Sequence, residues 1–490
     1  VNEYDLNQSG QLKPALWQLL QNLENAGPAQ LREDGSKAQQ QLQTLGAIFH
    51  LEAEAKAHRR DNLFPFDPLP RLISQRDWQR LEAGLIQRLQ AIELFLTDAY
   101  GPQHIVRDGH LQRGLLESSI FWQRELRDLT SPCQRWCTIA TPDLIRDSQG
   151  QWRVLEDNLR RGFGLGFSLT ARRVQQDQLD WMATGLQLAP PFSAPQQLLT
   201  GLRGLAPWSE SPTVVLLSPG RNSSARHDHQ VLARAMGIAL VEAQELHCES
   251  GRVWHQQDER QQVDVIYRRN DDQISSSDGT TRHLLGVPGL DAVYSAGGVA
   301  IANAPGVGVA SDKLIYSHLP VIIRYYLGEE PLLLQVPTYD CTAPLQRQKV
   351  IRELDQLVVK QVSGAGGVGM LMGPEASSQE RAAMAARIQS NPRHFIAQPL
   401  QQLSTVPTLI NGTVEHCAVD LRPFVLNRGD SMALLNAGLT RVARPAGSLV
   451  VNATQGGGYK DTWIVEAPLT QEGTMGIRPA GSNSAMKPKT

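Results

Sequence analysis

DLIRDSQGQWRVLEDN, residues 143–158, reads as a β-hairpin with three oxygen-bearing side chains gathered at its open end. Asp143 begins an apolar strand, Asp147-Ser148-Gln149-Gly150 supplies the turn, and Trp152 to Glu156 runs back. Glu156 and Asn158 are two residues apart, so an extended backbone sends both side chains off one face, and the turn returns Asp143 beside them. Two carboxylates and an amide suit Mg²⁺ held largely through a nucleotide's phosphates. The competing reading is a solvated turn with an exposed acidic end, since carboxylates mostly face water. The rest of the chain has to decide.

Outward from the hairpin, 490 residues allow roughly two to four domains. With 41% apolar residues they can fill real cores, as in a soluble globular protein. A net charge of −2 leaves no basic footprint for nucleic acid. No stretch approaches the roughly 18 apolar residues of a membrane span, and the first residues lack the basic start and apolar core of a signal peptide, so no membrane partner and a cytoplasmic location are expected. Cysteines 133, 137, 248, 341 and 417 are odd in number and scattered, which argues for reduced thiols and against a disulfide framework or a zinc site.

The expected fold class is mixed α/β. Residues 1–60 read as a peripheral helical region broken at Gly27-Pro28 and Asp34-Gly35. FPFDPLPR, residues 64–71, is extended, because each proline biases its predecessor away from helix. Residues 77–100 follow as an amphipathic helix, with Trp78, Leu81, Leu85, Leu89, Ile92 and Leu96 on one face. A Pro-rich break near residue 190 separates this part, residues 61–200, from the alternation TVVLLSPG, ARHDHQVLARAMG, IALVE and VDVIYRR, which gives a small doubly wound domain over residues 201–312. Residues 313–466 hold a helix starting near Asp312, then strand, glycine loop, strand, helix and strand. CAVDLRPFVL, ALLNAGLTRVA and SLVVNATQGGG close the block as three strand signals. Residues 467–490 have almost no large apolar side chains and are expected to be disordered.

Phosphate-handling signals cluster in this later part. Lys360 ends the strand Leu357-Val358-Val359, and Gly366-Gly367-Val368-Gly369 follows it, a loop whose backbone N–H groups can approach an anion closely. It lacks the Gly-Lys-Ser/Thr of a Walker A loop, and a strand rather than a helix follows, so it is not a dinucleotide fingerprint. A glycine-rich lid between antiparallel strands remains, against the alternative of an ordinary flexible hairpin. Lys313 sits at a helix start, where it is a second cationic candidate or an exposed lysine. IAQPL, with Ala397 and Gln398, is a strand entering a proline. Arg422 in DLRPFVL is a charge in an apolar strand and calls for a phosphate or carboxylate partner.

Together, Lys313, VVK with Lys360, SGAGGVGM, IAQP, DLRPFVL and the trio Asp143, Glu156 and Asn158 resemble the ATP-grasp superfamily, in its circularly permuted branch related to glutathionylspermidine synthase. Ordinary members carry the lysines and lid before the metal-binding strand pair; here the pair comes first. The resemblance implies a permuted ATP-grasp fold with an inserted pre-ATP-grasp-like domain and a lid subdomain. It also implies ATP and Mg²⁺ as cofactors. Asp143, Glu156 and Asn158 would ligate Mg²⁺, Lys313 and Lys360 would contact phosphates, and Gly366, Gly367 and Gly369 would close over them. Ala397 and Gln398 would line the adenine hinge, and Arg422, Arg441 and Asn452 would face the transferred group. Where relatives of the branch tend to carry a Pro-Ser-Gly turn, this chain has Arg160-Arg161-Gly162-Phe163-Gly164-Leu165-Gly166; Arg160 and Arg161 either bind a substrate carboxylate or are solvated. The implied function is a carboxylate–amine ligase acting through an acyl phosphate on small-molecule or peptide substrates, with a helical or transglutaminase-like pathway partner. The alternatives are an inactive ATP-binding scaffold or sensor and a phosphotransferase.

Overall fold

A computed structural model of the chain describes residues 2–6, 12–47, 64–127, 135–221, 223–256, 260–271, 274–276, 282–364, 369–448, 450–451 and 456–466. An eight-stranded mixed sheet forms the centre. Phe66–Ser74, Gly458–Val465, Met432–Val442, Thr413–Asn427, Asp143–Arg146 and Trp152–Glu156 lie side by side in that order, and Ile139–Ala140 and Thr405–Ile410 also pair with Thr413–Asn427. The hairpin that comes early in the chain is thus seated against a strand that comes late.

Both faces of this sheet are covered, and the period of two along Thr413–Asn427 divides its side chains between them. Phe424 and Leu426 join one core with Phe167, Val174 and Leu199, whereas Leu421 and Val425 join the other with Leu81, Leu85 and Phe95. The second face is closed by the helix Gln75–Tyr100, whose expected apolar stripe is buried from Trp78 to Leu96. Ser74 starts that helix by accepting the N–H of Asp77 at 3.0 Å.

The N-terminal residues are not peripheral. Leu12, Ala15, Leu19, Ala38 and Leu42 belong to the first core, and Glu3 is buried against Arg71 with two hydrogen bonds of 2.6 and 2.9 Å. Gly27 interrupts the helix Lys13–Thr44 as expected, but Asp34-Gly35 does not. The Asp34 carboxylate accepts from Gln30 and Lys37 of its own helix and from Trp181, so it is satisfied without leaving helical geometry.

A second sheet is all parallel, in the order Ala300–Ala302, Val265–Arg268, Val214–Leu217 and Ala239–Val241. Helices Ala194–Arg203 and Arg226–Met236 cover one face of it through Leu198, Leu202, Leu232 and Met236. A third sheet, antiparallel, runs Tyr339–Asp340, Phe395–Pro399, Leu357–Gln361 and Leu371–Met372. Val350, Met384 and Ile388 of its helices back one side, which leaves Val358, Lys360 and Met372 on the other to face a cavity.

One strand expectation fails. Val450 and Val451 of SLVVNATQGGG are not in a strand and line the cavity instead, and the partner of Met432–Val442 is Gly458–Val465. Lys460 and Asp461 conceal that strand in the sequence because they look solvated. Both are buried, Lys460 against Asp67 at 2.5 Å and Asp461 against Arg172 at 2.5 Å. The four described cysteines are free thiols. The tail expected to be disordered lies outside the described residues.

Candidate active site

Asp143 and Glu156 are directly opposite each other in the hairpin register. The turn is pinned by Asp147, whose carboxylate accepts the N–H groups of Gln149 and Gln151 at 3.0 and 2.9 Å and pairs with Arg153 at 2.6 Å. Burial works to raise the Asp147 pKa, but Arg153 and the two N–H groups win and hold it below the usual carboxylate range. At the other end Asp143 is 1% exposed, which a solvated turn would not give. The Asn158 amide bridges the pair, with Nδ2 at 3.3 Å from Asp143 and 3.4 Å from Glu156. Turning that amide over would present its oxygen to the same point, where a cation would meet two carboxylates and a carbonyl. No group of three His, Cys, Asp or Glu side chains suited to a metal ion occurs among the described residues. Two carboxylates and an amide oxygen are therefore the donor set available, and it fits an Mg²⁺ that takes its other ligands from phosphates and water.

Two lysines from different elements reach this end. Lys313 follows Asp312, which caps its helix by accepting the N–H of Leu314 at 2.9 Å, and its ammonium lies 3.3 Å from Glu156 and donates to the carbonyl of Gly364 at 2.7 Å. Lys360 points from the strand Leu357–Gln361 into the same cavity. Burial pushes the Lys360 ammonium down to about 8, assisted by Lys313 and opposed by Glu156 and Asp143. Burial likewise acts to raise the Glu156 carboxyl, but the charges of Lys313 and Lys360 overcome it and hold it far below its usual range.

Arg422 is not an isolated charge. It grips Asp143 with two hydrogen bonds of 2.6 and 2.8 Å, and Arg441 reaches the same carboxylate at 2.8 Å while also binding Asp420. Asp420, two residues before Arg422 on one strand face and opposite Arg441 in the register, was not singled out by the sequence. Its signal is the same two-residue spacing that marks Glu156 and Asn158.

Ala397 is buried between Val359 and Tyr339 on neighbouring strands and does not line the cavity. The wall runs instead through Gln398, Pro399, Leu400 and Gln401, past the point where the Tyr339–Asp340 strand ends. Gly369 has φ +70°, and a Cβ there would come within 2.3 Å of the Gln361 amide, so the loop's return needs glycine. Gly366, Gly367 and Asn452 lie outside the described residues.

Arg160, Arg161 and Phe163 line the far wall. Arg160 lies over the Phe121 ring and pairs with Asp271 at 2.7 Å, with Arg161 3.6 Å from the same carboxylate. The parallel-sheet region clamps the following glycines: Asp228 accepts the N–H groups of Gly164 and Gly166, and Arg269 donates to the carbonyl of Gly162 and pairs with Asp228 at 2.6 Å. A Cβ on Gly166 would sit 2.7 Å from the Asp228 carbonyl, which explains glycine at that position. Asp228, His229 and Arg269 escaped the sequence reading, since nothing local marks a clamp that spans some sixty to a hundred residues. These walls enclose about 380 Å³, within the range of small-molecule sites.

A protein of Synechocystis with no assigned activity is 46% identical over 460 residues, covering 93% of this chain and 95% of its own. A Mycobacterium tuberculosis protein, also uncharacterized, is 44% identical over 82% of this chain and 74% of its own. A Frankia casuarinae protein provisionally named glutamate–cysteine ligase 2-2 is 38% identical over 93% of this chain, which spans 52% of that relative's length. The solved structure of a glutathione synthetase-like effector from Globodera pallida superposes with a TM-score of 0.56 over 90% of this chain and 98% of its own, at 12% identity, so the fold is shared. The profile of the circularly permuted ATP-grasp type 2 family matches residues 70–443, and the chain belongs to that family.

Proposed function

We propose that the chain is an ATP-dependent carboxylate–amine ligase. The observation that carries this reading is the convergence of Asp143, Glu156, Asn158, Lys313, Lys360, Arg422 and Arg441 on one cavity. Asp143, Glu156 and Asn158 would hold Mg²⁺, which when bound neutralises phosphate charge and fixes phosphate geometry. Lys313 exchanges its bond to the Gly364 carbonyl for a phosphate oxygen, and Lys360 adds a second charge beside it. Gln398 to Gln401 accommodate the base, and Gly366, Gly367 and Gly369 belong to the lid.

A substrate carboxylate attacks the terminal phosphorus, the bond to the bridging oxygen breaks, and ADP leaves. The acyl phosphate then loses inorganic phosphate to an attacking amine, which gives up a proton as the amide forms. Arg422 and Arg441 stabilise the charge on the transferred group, work that needs alignment and fixed charge and no covalent protein nucleophile. Asn452 is assigned to the same group by family resemblance. Arg160 and Arg161 are assigned to substrate, and the name of the Frankia relative supports amino-acid substrates.

The test is a screen of amine and carboxylate pairs for ADP release, with mass spectrometry of the hits. An amide with one equivalent of free phosphate is the expected product. A stable phosphorylated product would make the chain a phosphotransferase, and tight ATP binding with no turnover on any pair would make it a nucleotide-binding module.

A further inference from the structure

In the parallel sheet, Val214–Leu217 and Val265–Arg268 are neighbours whose onward connections leave in opposite directions, to Ala239–Val241 on one side and Ala300–Ala302 on the other. Open α/β sheets hold ligands in the crevice that this reversal creates at the carboxyl ends of the two strands. Here Ser218 and Arg269 flank the crevice, the helix Arg226–Met236 begins over it, and it opens on the cavity through Ser223, Ser224, His229 and Arg269.

His229 is 2% exposed and its Nδ1 lies 3.0 Å from the Ser218 hydroxyl. The Ser218 oxygen also accepts the N–H of Gly220, and in the tautomer whose Nδ1 accepts the Ser218 proton the imidazole hydrogen lies on Nε2. Among the described residues nothing hydrogen-bonds that Nε2, and His229 lines the cavity; beside it the Arg269 Nε is buried without a partner. Burial first, then the charges of Arg269, Arg161 and Arg226, push the His229 pKa down to about 2, so the ring is neutral in a cationic field. Of the nearby carboxylates, Asp228 is engaged by two glycine N–H groups and Arg269, Asp271 by Arg160 and Arg161, and Glu242, beside Gly220, by the capping box of its own turn and the Gln244 amide. Fixed donors, a helix N-terminus and surplus guanidinium charge make a receptor for a small oxyanion.

We infer that this crevice binds the free carboxylate of the amine substrate, an amino acid or a peptide, at the end of the cavity away from Lys313 and Lys360. The inference rests on the ligase reading and names the class of its second substrate. Phosphate is the other oxyanion that such donors accept, and the experiment separates the two.

Thermal-shift titration of the full chain is run with each protein L-amino acid, with the matching α-carboxamides and with inorganic phosphate, in the presence and absence of Mg·AMP-PNP. At least one amino acid should raise Tm while its carboxamide does not. His229→Leu and the partly exposed Arg161→Ala should each weaken that amino acid by about tenfold or more, the loss expected for a hydrogen bond to a charged group, with AMP-PNP affinity unchanged. His229→Gln keeps an N–H donor and should keep the response. Carboxamides that bind as well as acids, a panel in which no amino acid binds, or phosphate alone binding in a way lost in His229→Leu would each overturn the inference. Carboxylate-selective binding with no amide product would uphold the crevice and sink only the ligase reading.

Discussion

Replacing the Glu156 carboxylate by an amide takes the charge from a proposed Mg²⁺ ligand and the counter-charge from two lysines at once, while the side chain, 26% exposed on the cavity, keeps its size. Glu156→Gln should therefore cut ATP turnover on the order of a hundredfold or more and leave the urea midpoint nearly unmoved. Full turnover in that variant, measured as ADP released with a competent substrate pair, would remove Glu156 from the site. This residue and its partners were readable in advance because a spacing of two on a strand fixes which side chains share a face. The partners of Asp143 were not: Arg422 and Arg441 come from strands nearly three hundred residues later, and sequence spacing says nothing about which of two arginines a buried carboxylate will face.

Elements were legible where burial followed a simple period and illegible where charge interrupted it. Helix Gln75–Tyr100 has both an unbroken stripe and an N-cap, and Ser74→Ala, which removes only the bond to Asp77, should cost about 1 kcal/mol in urea denaturation. Strand Gly458–Val465 was concealed by Lys460 and Asp461. Asp461 meets Arg172 of the helix Leu165–Gln178, accepts from the Trp463 indole at 2.8 Å, and ties helix to sheet. Arg172→Met leaves a buried carboxylate without its cation and should destabilise by about 3–5 kcal/mol, whereas Arg172→Met with Asp461→Asn should recover most of that loss. A double variant no more stable than the single one would show that the pair does not carry the attachment.

Across the whole molecule, the order of motifs along the chain announced a permuted fold, but the seam between the parallel sheet and the main sheet left no trace in the sequence. Asp228 and Arg269 close that seam on the glycines after Arg161, and His229 sits beside them as a buried neutral ring. Its ordinary pKa of 6.5 is pushed down to about 2 by burial, then by Arg269, Arg161 and Arg226. The unfolded chain therefore takes up a proton below pH 6.5 that the folded chain refuses, so the His229 contribution is complete above 6.5 and is lost as pH falls. From pH 7.5 to pH 5.5 this one ring should withdraw about 1.4 kcal/mol of stability. His229→Gln has no proton to take up, and should lose less stability than the wild type over that interval by about the same 1.4 kcal/mol when both are followed by urea denaturation. Equal losses in the two proteins would mean that the imidazole is protonated in the folded state, and the seam would then have to admit water or an anion to hold it.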